Sequence, residues 1–174
     1  MHGANGYLLD EFLTDYTNTR LDEYGGNTEN RVRFLVEVST AIREAIGQDF
    51  TVGIRISQGK VNDYAHQWEG KEKDAKIIFE ALGQAGLNYI HVTEYKAWKP
   101  AFQESDRNIN EKSLVSLAKE YGKVPVLANG HLEEPTKASE MITSGGADLV
   151  TLGKGALASH DWVKKVKIGE PGRI

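Results

Sequence analysis

The chain has 174 residues, a formal net charge of −4 and no cysteine. That length suits one compact domain with a real core, and interleaved acids and bases give no electrostatic footprint for nucleic acid. The absence of Cys excludes disulfides, thiolate metal sites and cysteine nucleophiles, and no apolar run is long enough to span a membrane.

In chain order, residues 2–31 read HGANGYLLDEFLTDYTNTRLDEYGGNTENR. This opening is polar and Gly-rich, unlike a signal peptide, and a cytoplasmic location is expected. Leu35, Val38, Ile42, Ala45 and Ile46 recur at helical spacing and predict a helix stopped by Gly47. TVGIRIS (51–57) reads as a short buried strand. Ala75, Ile78, Phe79, Leu82 and Ala85 mark a second helix, ended by Gly86. NYIHVT (88–93) is the next strand. Leu114, Leu117, Ala118 and Tyr121 mark a third helix, ended by Gly122, and VPVLA (124–128) is a third strand. Pro135 suits a helix start, with Ala138, Met141 and Ile142 following before Gly145-Gly146. DLVTLG (148–153) is a fourth strand. A short last helix holds Trp162, Val163 and Val166, and Lys164, Lys165 and Lys167 read as its solvated face.

Strands and helices therefore alternate, and the strands read as apolar at nearly every residue. That pattern predicts parallel strands covered on both faces. It fits either a doubly wound sheet or a (β/α)8 barrel. A full barrel takes about 250 residues, so four units are expected to be half of one.

Polar residues gather at the strand ends: Arg55 and Ser57, then His91, Thr93 and Glu94, then Asn129-Gly130 and Gly153-Lys154. Barrels do their chemistry at this rim, and often hold a phosphate after strands seven and eight. If the four strands are five to eight, Asn129-Gly130 and Gly153-Lys154 become that phosphate site. Glycine admits close backbone approach, and Lys154 adds charge. Each turn alone reads as an ordinary βα connection; the pair in adjacent units favours phosphate. His2 then falls at the end of strand four, on the same rim. One helical turn would put His2 and Asn5 on one face, where two donors could hold a carbonyl or phenolate oxygen. Tyr7 could deliver a proton. From spacing alone, capping in a polar loop is the simpler reading of His2 and Asn5. The five histidines, His2, His66, His91, His131 and His160, lack ligand spacing, so no metal is expected, and no P-loop motif occurs. His91 and His131 read as structural.

The ordered string HGANGYLLDEFL, NTRLDEYGGNTENRVRF, GIRIS, VLANG and ADLVTLGKGALA resembles the Old Yellow Enzyme family of FMN-dependent NAD(P)H oxidoreductases and ene-reductases. The resemblance runs from His2 to about Trp162 and covers the second half of the family's barrel. It implies an α/β fold: strands 5–8 of a TIM barrel with their helices, as one partial domain over 1–174. By the resemblance, His2 and Asn5 bind the substrate carbonyl oxygen and Tyr7 protonates its α-carbon. Arg55 lies near the flavin N1 and C2 oxygen, where a cation stabilises the reduced flavin. Gly130, Gly153 and Lys154 match the FMN phosphate site, with Lys154 where the family usually has Arg, a point charge replacing a bidentate fork. The implied reductant is NADH or NADPH, and the implied substrate a small enone-type molecule. The long loops 58–70 and 94–109, with Tyr64, Trp68, Trp98 and Phe102, would wall the pocket or cover the rim. A half-barrel has open edges and an uncovered face. The chain is thus expected to form a homo-oligomer or to complement an N-terminal half. A non-catalytic FMN- or phosphate-binding half-barrel is the alternative.

Overall fold

The computed structural model describes residues 1–102 and 112–170. Five parallel strands lie side by side in chain order: β1 (His2–Asn5), β2 (Gly53–Lys60), β3 (Tyr89–Thr93), β4 (Val126–Asn129) and β5 (Leu149–Thr151). A doubly wound sheet reverses strand order at a switch point. This sheet does not, so the arc is that of a barrel. Its helices are α1 (Leu8–Leu13), α2 (Thr28–Ile46), α3 (Glu72–Gly83), α4 (Leu114–Gly122), α5 (Pro135–Thr143), α6 (Lys154–Ala158) and α7 (Trp162–Lys167).

Local signals place the ends of several helices. The Asn27 side chain accepts the Asn30 N–H at 2.9 Å and starts α2, while Gly47, at φ 73°, ends it. Ser113 caps α4 through the Ser116 N–H, and Pro135 opens α5. Among the described residues no helix is long and apolar enough to cross a membrane.

Three expectations need correction. The sheet has five strands, because His2–Asn5 is itself a strand paired with β2 rather than one terminal strand residue. The strands alternate instead of being apolar throughout. Ile54, Ile56, Ile90, Val92, Val126 and Ala128 are fully buried in the core beneath the helices. The residues between them, Arg55, His91, Thr93 and Asn129, make their contacts on the other face. Apolar side chains cover one face of each strand, and the second face carries the chemistry. Finally, α2 buries Val32, Leu35, Ser39 and Arg43, while Ala45 and Ile46 are exposed. The buried stripe is turned because all three nitrogens of the Arg43 guanidinium are hydrogen-bonded. It donates to Gly86 O, Gly47 O and Phe50 O at 2.7–2.8 Å and to the Asn88 side chain.

Candidate active site at the strand ends

One polar network spans the inner face of the sheet. Arg55 on β2 donates from Nη2 to Thr93 Oγ1 at 2.8 Å and to Asn129 Oδ1 at 3.2 Å. Thr93 Oγ1 in turn donates to Asn129 Oδ1 at 2.9 Å, and Asn129 Nδ2 donates to Thr151 O at 2.9 Å. Thr151 Oγ1 donates to Ala128 O, so its contact with His91 Nε2 at 2.9 Å is one in which the imidazole N–H donates. The Arg55 Nε–H is buried and has no partner among the described residues. A buried guanidinium N–H without an acceptor is costly.

Register sets Arg55 between His2 on β1 and His91 on β3. Burial, reinforced by Arg55, lowers the His91 pKa to about 4. His2 is exposed, and its pKa is lowered by partial desolvation and by the same guanidinium, against the pull of Asp10. Both imidazoles are thus kept neutral, as hydrogen-bond donors rather than cations.

The structure brings His2 and Tyr7 together, with ring centroids 5.0 Å apart. It does not make the His2–Asn5 helical turn. His2 lies in β1, and Asn5 ends that strand at φ 64° with an irregular register, followed by Gly6 at φ 81°. The Asn5 N–H donates to Ser57 Oγ at 2.8 Å, which ties the turn to β2. Tyr7, at the N-terminal end of α1, is exposed.

At the other end of the sheet, Asn129, Gly130, Thr151, Gly153 and Lys154 line a cavity of about 230 Å³, together with Glu94 and His131. Gly130 has φ 134°, and a Cβ there would overlap the Glu94 carbonyl oxygen. A Cβ on Gly153 would meet no atom of the described residues within 4 Å. The Lys154 ammonium makes no hydrogen bond or ion pair with the described residues. His131 bonds Glu133 through Nδ1 at 3.1 Å and packs edge-on against Tyr95.

The rim loops divide. Trp68 and Phe102 belong to the core, at 4% and 2% exposure, and Trp98 packs partly against it. Tyr64 is exposed and lines a cavity of about 200 Å³ with Gln58, His66, Glu94 and Tyr95. The rest of the second loop, from 103 onward, lies outside the described residues. Spacing missed Thr93, Thr151 and His91 as site members. A strict period-2 reading of GIRIS and YIHVT would have put Arg55, His91 and Thr93 on one face. The Lys60–Asp10 ion pair beneath the Asn5 turn had no sequence signal. Among the described residues no His, Asp and Glu group could hold a metal ion.

The sheet and its rim define half of a parallel barrel with its polar site at the strand ends. A family model described as the NADH:flavin oxidoreductase / NADH oxidase family matches residues 1–172, and the chain belongs to that family. It is 36% identical over 179 residues to an NADH oxidase of Thermoanaerobacter brockii, covering 100% of this chain and 27% of that protein. It is 37% identical over 172 residues to a probable flavin mononucleotide-dependent alkene reductase of Leishmania infantum, covering 98% of this chain and 43% of the relative. Among solved structures, an old yellow enzyme homologue from Zymomonas mobilis superposes with a TM-score of 0.80 at 28% identity, over 99% of this chain and 46% of that one. The chain therefore spans less than half the length of each of these three relatives.

Proposed function

We propose that this chain carries the substrate and phosphate side of an FMN-dependent NAD(P)H oxidoreductase that reduces the activated C=C bond of an α,β-unsaturated carbonyl. The observation that carries this reading is Arg55. Its guanidinium is clamped on the inner face by Thr93 and Asn129, while its buried Nε–H lacks an acceptor among the described residues. A flavin pyrimidine oxygen or N1 would complete it. The second half of the fit is the open space over Gly153 beside the unpaired Lys154, where a phosphate has both room and a counter-charge.

FMN, when bound, supplies hydride transfer between nicotinamide and alkene. The chain's own residues do the rest. Neutral His2 and Asn5 donate hydrogen bonds to the carbonyl oxygen of the substrate and polarise it. Tyr7 holds a phenolic proton near His2 for delivery to the α-carbon. Arg55 stabilises negative charge on the reduced cofactor, and Asn129 acts through Arg55 by fixing its guanidinium. Gly130, Gly153 and Lys154 hold the phosphate. Leu149 on β5 stays 56% exposed; in the working protein we read the inner face of this single partial domain as covered, by the rest of a barrel or by a second copy.

Titration with FMN, followed by quenching of flavin fluorescence, tests the site. Saturable binding is expected, weakened at least about tenfold by Arg55→Ala or Lys154→Ala. Binding indifferent to both substitutions removes the proposed site. Binding without turnover of NAD(P)H and cyclohexenone supports the non-catalytic alternative instead.

A further inference from the structure

We propose that the buried Lys60–Asp10 ion pair is a positioning device that fixes the Asn5–Gly6–Tyr7 turn, and with it the carbonyl anchor and the proton donor. The functional half of this rests on the reading above; the structural half does not. Lys60 Nζ lies 2.7 and 2.8 Å from the two Asp10 carboxylate oxygens. The side chains are 1% and 0% exposed. Asp10 Oδ2 also accepts the Gly6 N–H at 2.7 Å.

A pair buried this deeply contributes little net stability, because desolvation consumes most of its Coulomb attraction. What it does supply is direction. Asn5 and Gly6 sit consecutively at φ 64° and 81°. Asparagine enters the left-handed region more readily than other non-glycine residues, so the local sequence permits this turn. Its tertiary ties hold it there, and they converge on one place. The Asn5 N–H goes to Ser57 Oγ at 2.8 Å, and the Val61 N–H goes to Asn5 O at 3.2 Å. Lys60 is the register partner of Asn5 at the end of β2, and its own N–H is held by Asp63 O at 2.9 Å. Through Asp10, its ammonium reaches over the turn and fastens Gly6 from the α1 side. Asn5 and Tyr7 flank that glycine. Burial raises the Asp10 carboxyl and lowers the Lys60 ammonium, and each partner opposes the shift of the other only in part. Remove Lys60 and the carboxylate has no buried counter-ion, so Gly6 loses a charged acceptor.

The test uses the FMN-loaded protein and two double variants. Asp10→Leu/Lys60→Met leaves no buried charge and takes the acceptor from Gly6, while filling the site with apolar volume so that the fold survives. Asp10→Asn/Lys60→Met is also uncharged but returns an oxygen to Gly6. Amide hydrogen exchange is read at residues 5–7 against the β3 and β4 amides. Reoxidation of chemically reduced flavin is followed with cyclohexenone and, separately, with dioxygen. In the Leu/Met variant, exchange at 5–7 should rise at least about tenfold with β3 and β4 unchanged. Reoxidation by the enone should slow about ten- to a hundredfold while that by dioxygen holds. The Asn/Met variant should recover most of both. Unchanged protection at 5–7, or loss in step with β3 and β4, overturns the proposal. A wild-type protein that binds flavin yet reduces no enone sinks the functional reading instead, and the exchange data alone then decide the clamp.

Discussion

Gly130 and Gly153 both end strands beside the same cavity, yet they are glycine for different reasons. At Gly130 the backbone demands it, with φ 134° and the Glu94 carbonyl where a Cβ would go. At Gly153 no neighbour demands it, since no described atom lies within 4 Å of where a Cβ would go. Gly130→Ala should therefore lower the unfolding free energy by at least about 2 kcal/mol, read from the urea midpoint. Gly153→Ala should leave that midpoint within about 0.5 kcal/mol but weaken FMN binding, because its methyl occupies the proposed phosphate space. Equal effects of the two on stability would contradict this division. The motif ANG was legible as a turn; which glycine serves the fold and which leaves space was not, because that depends on a carbonyl 36 residues away in sequence.

Helix packing supplies a case where a substitution rule changes sign. Gly83 closes α3, and Ala in place of a helical Gly ordinarily stabilises by up to about 1 kcal/mol. Here a Cβ at Gly83 would overlap the Gly122 carbonyl at the end of α4. Neither backbone can retreat, since Phe79, Leu82, Leu117 and Ala118 are fully buried around the contact. Gly83→Ala should thus destabilise by about 1–3 kcal/mol, measurable as a fall in Tm. A neutral or stabilising outcome would mean that the two helices are free to separate. The same dependence on neighbours turned α2. Leu35 was legible as its core residue, but the burial of Arg43 in place of Ile46 follows from three carbonyls and Asn88, all outside the helix.

Across the sheet, the row His2, Arg55, His91 carries one obligate cation and two imidazoles that desolvation and that cation keep neutral. An unfolded histidine titrates near 6.5, so as pH falls the unfolded chain takes up the proton before folded His91, at about 4, does. The stability tied to His91 is complete above about pH 6.5 and is lost progressively towards pH 4, by about 1–3 kcal/mol. His2 acts in the same sense. His91→Gln keeps a donor for Thr151 and should flatten the pH dependence of urea unfolding between pH 6.5 and 4. A slope unchanged by that substitution would place the acid sensitivity elsewhere.

Periodicity by itself determined the alternation and order of β2 to β5 with α2 to α5 and α7, because these follow from local spacing and from Gly, Pro, Ser and Asn at termini, while β1, α1 and α6 were too short to carry a period. The ordered opening string and the strand-end residues also named the family. Spacing left three features to tertiary structure. It did not separate a barrel arc from a doubly wound sheet, since both have the same local pattern; the family resemblance pointed to the barrel, and the strand order shows it. The inner-face network of Arg55, Thr93, Asn129, Thr151 and His91 required register between strands far apart in sequence. The Lys60–Asp10 pair required a lysine, a residue type that usually sits in solvent, to be buried against an aspartate of α1 that lies 50 residues before it. Pairings of this kind depend on distance in space, which sequence spacing does not encode.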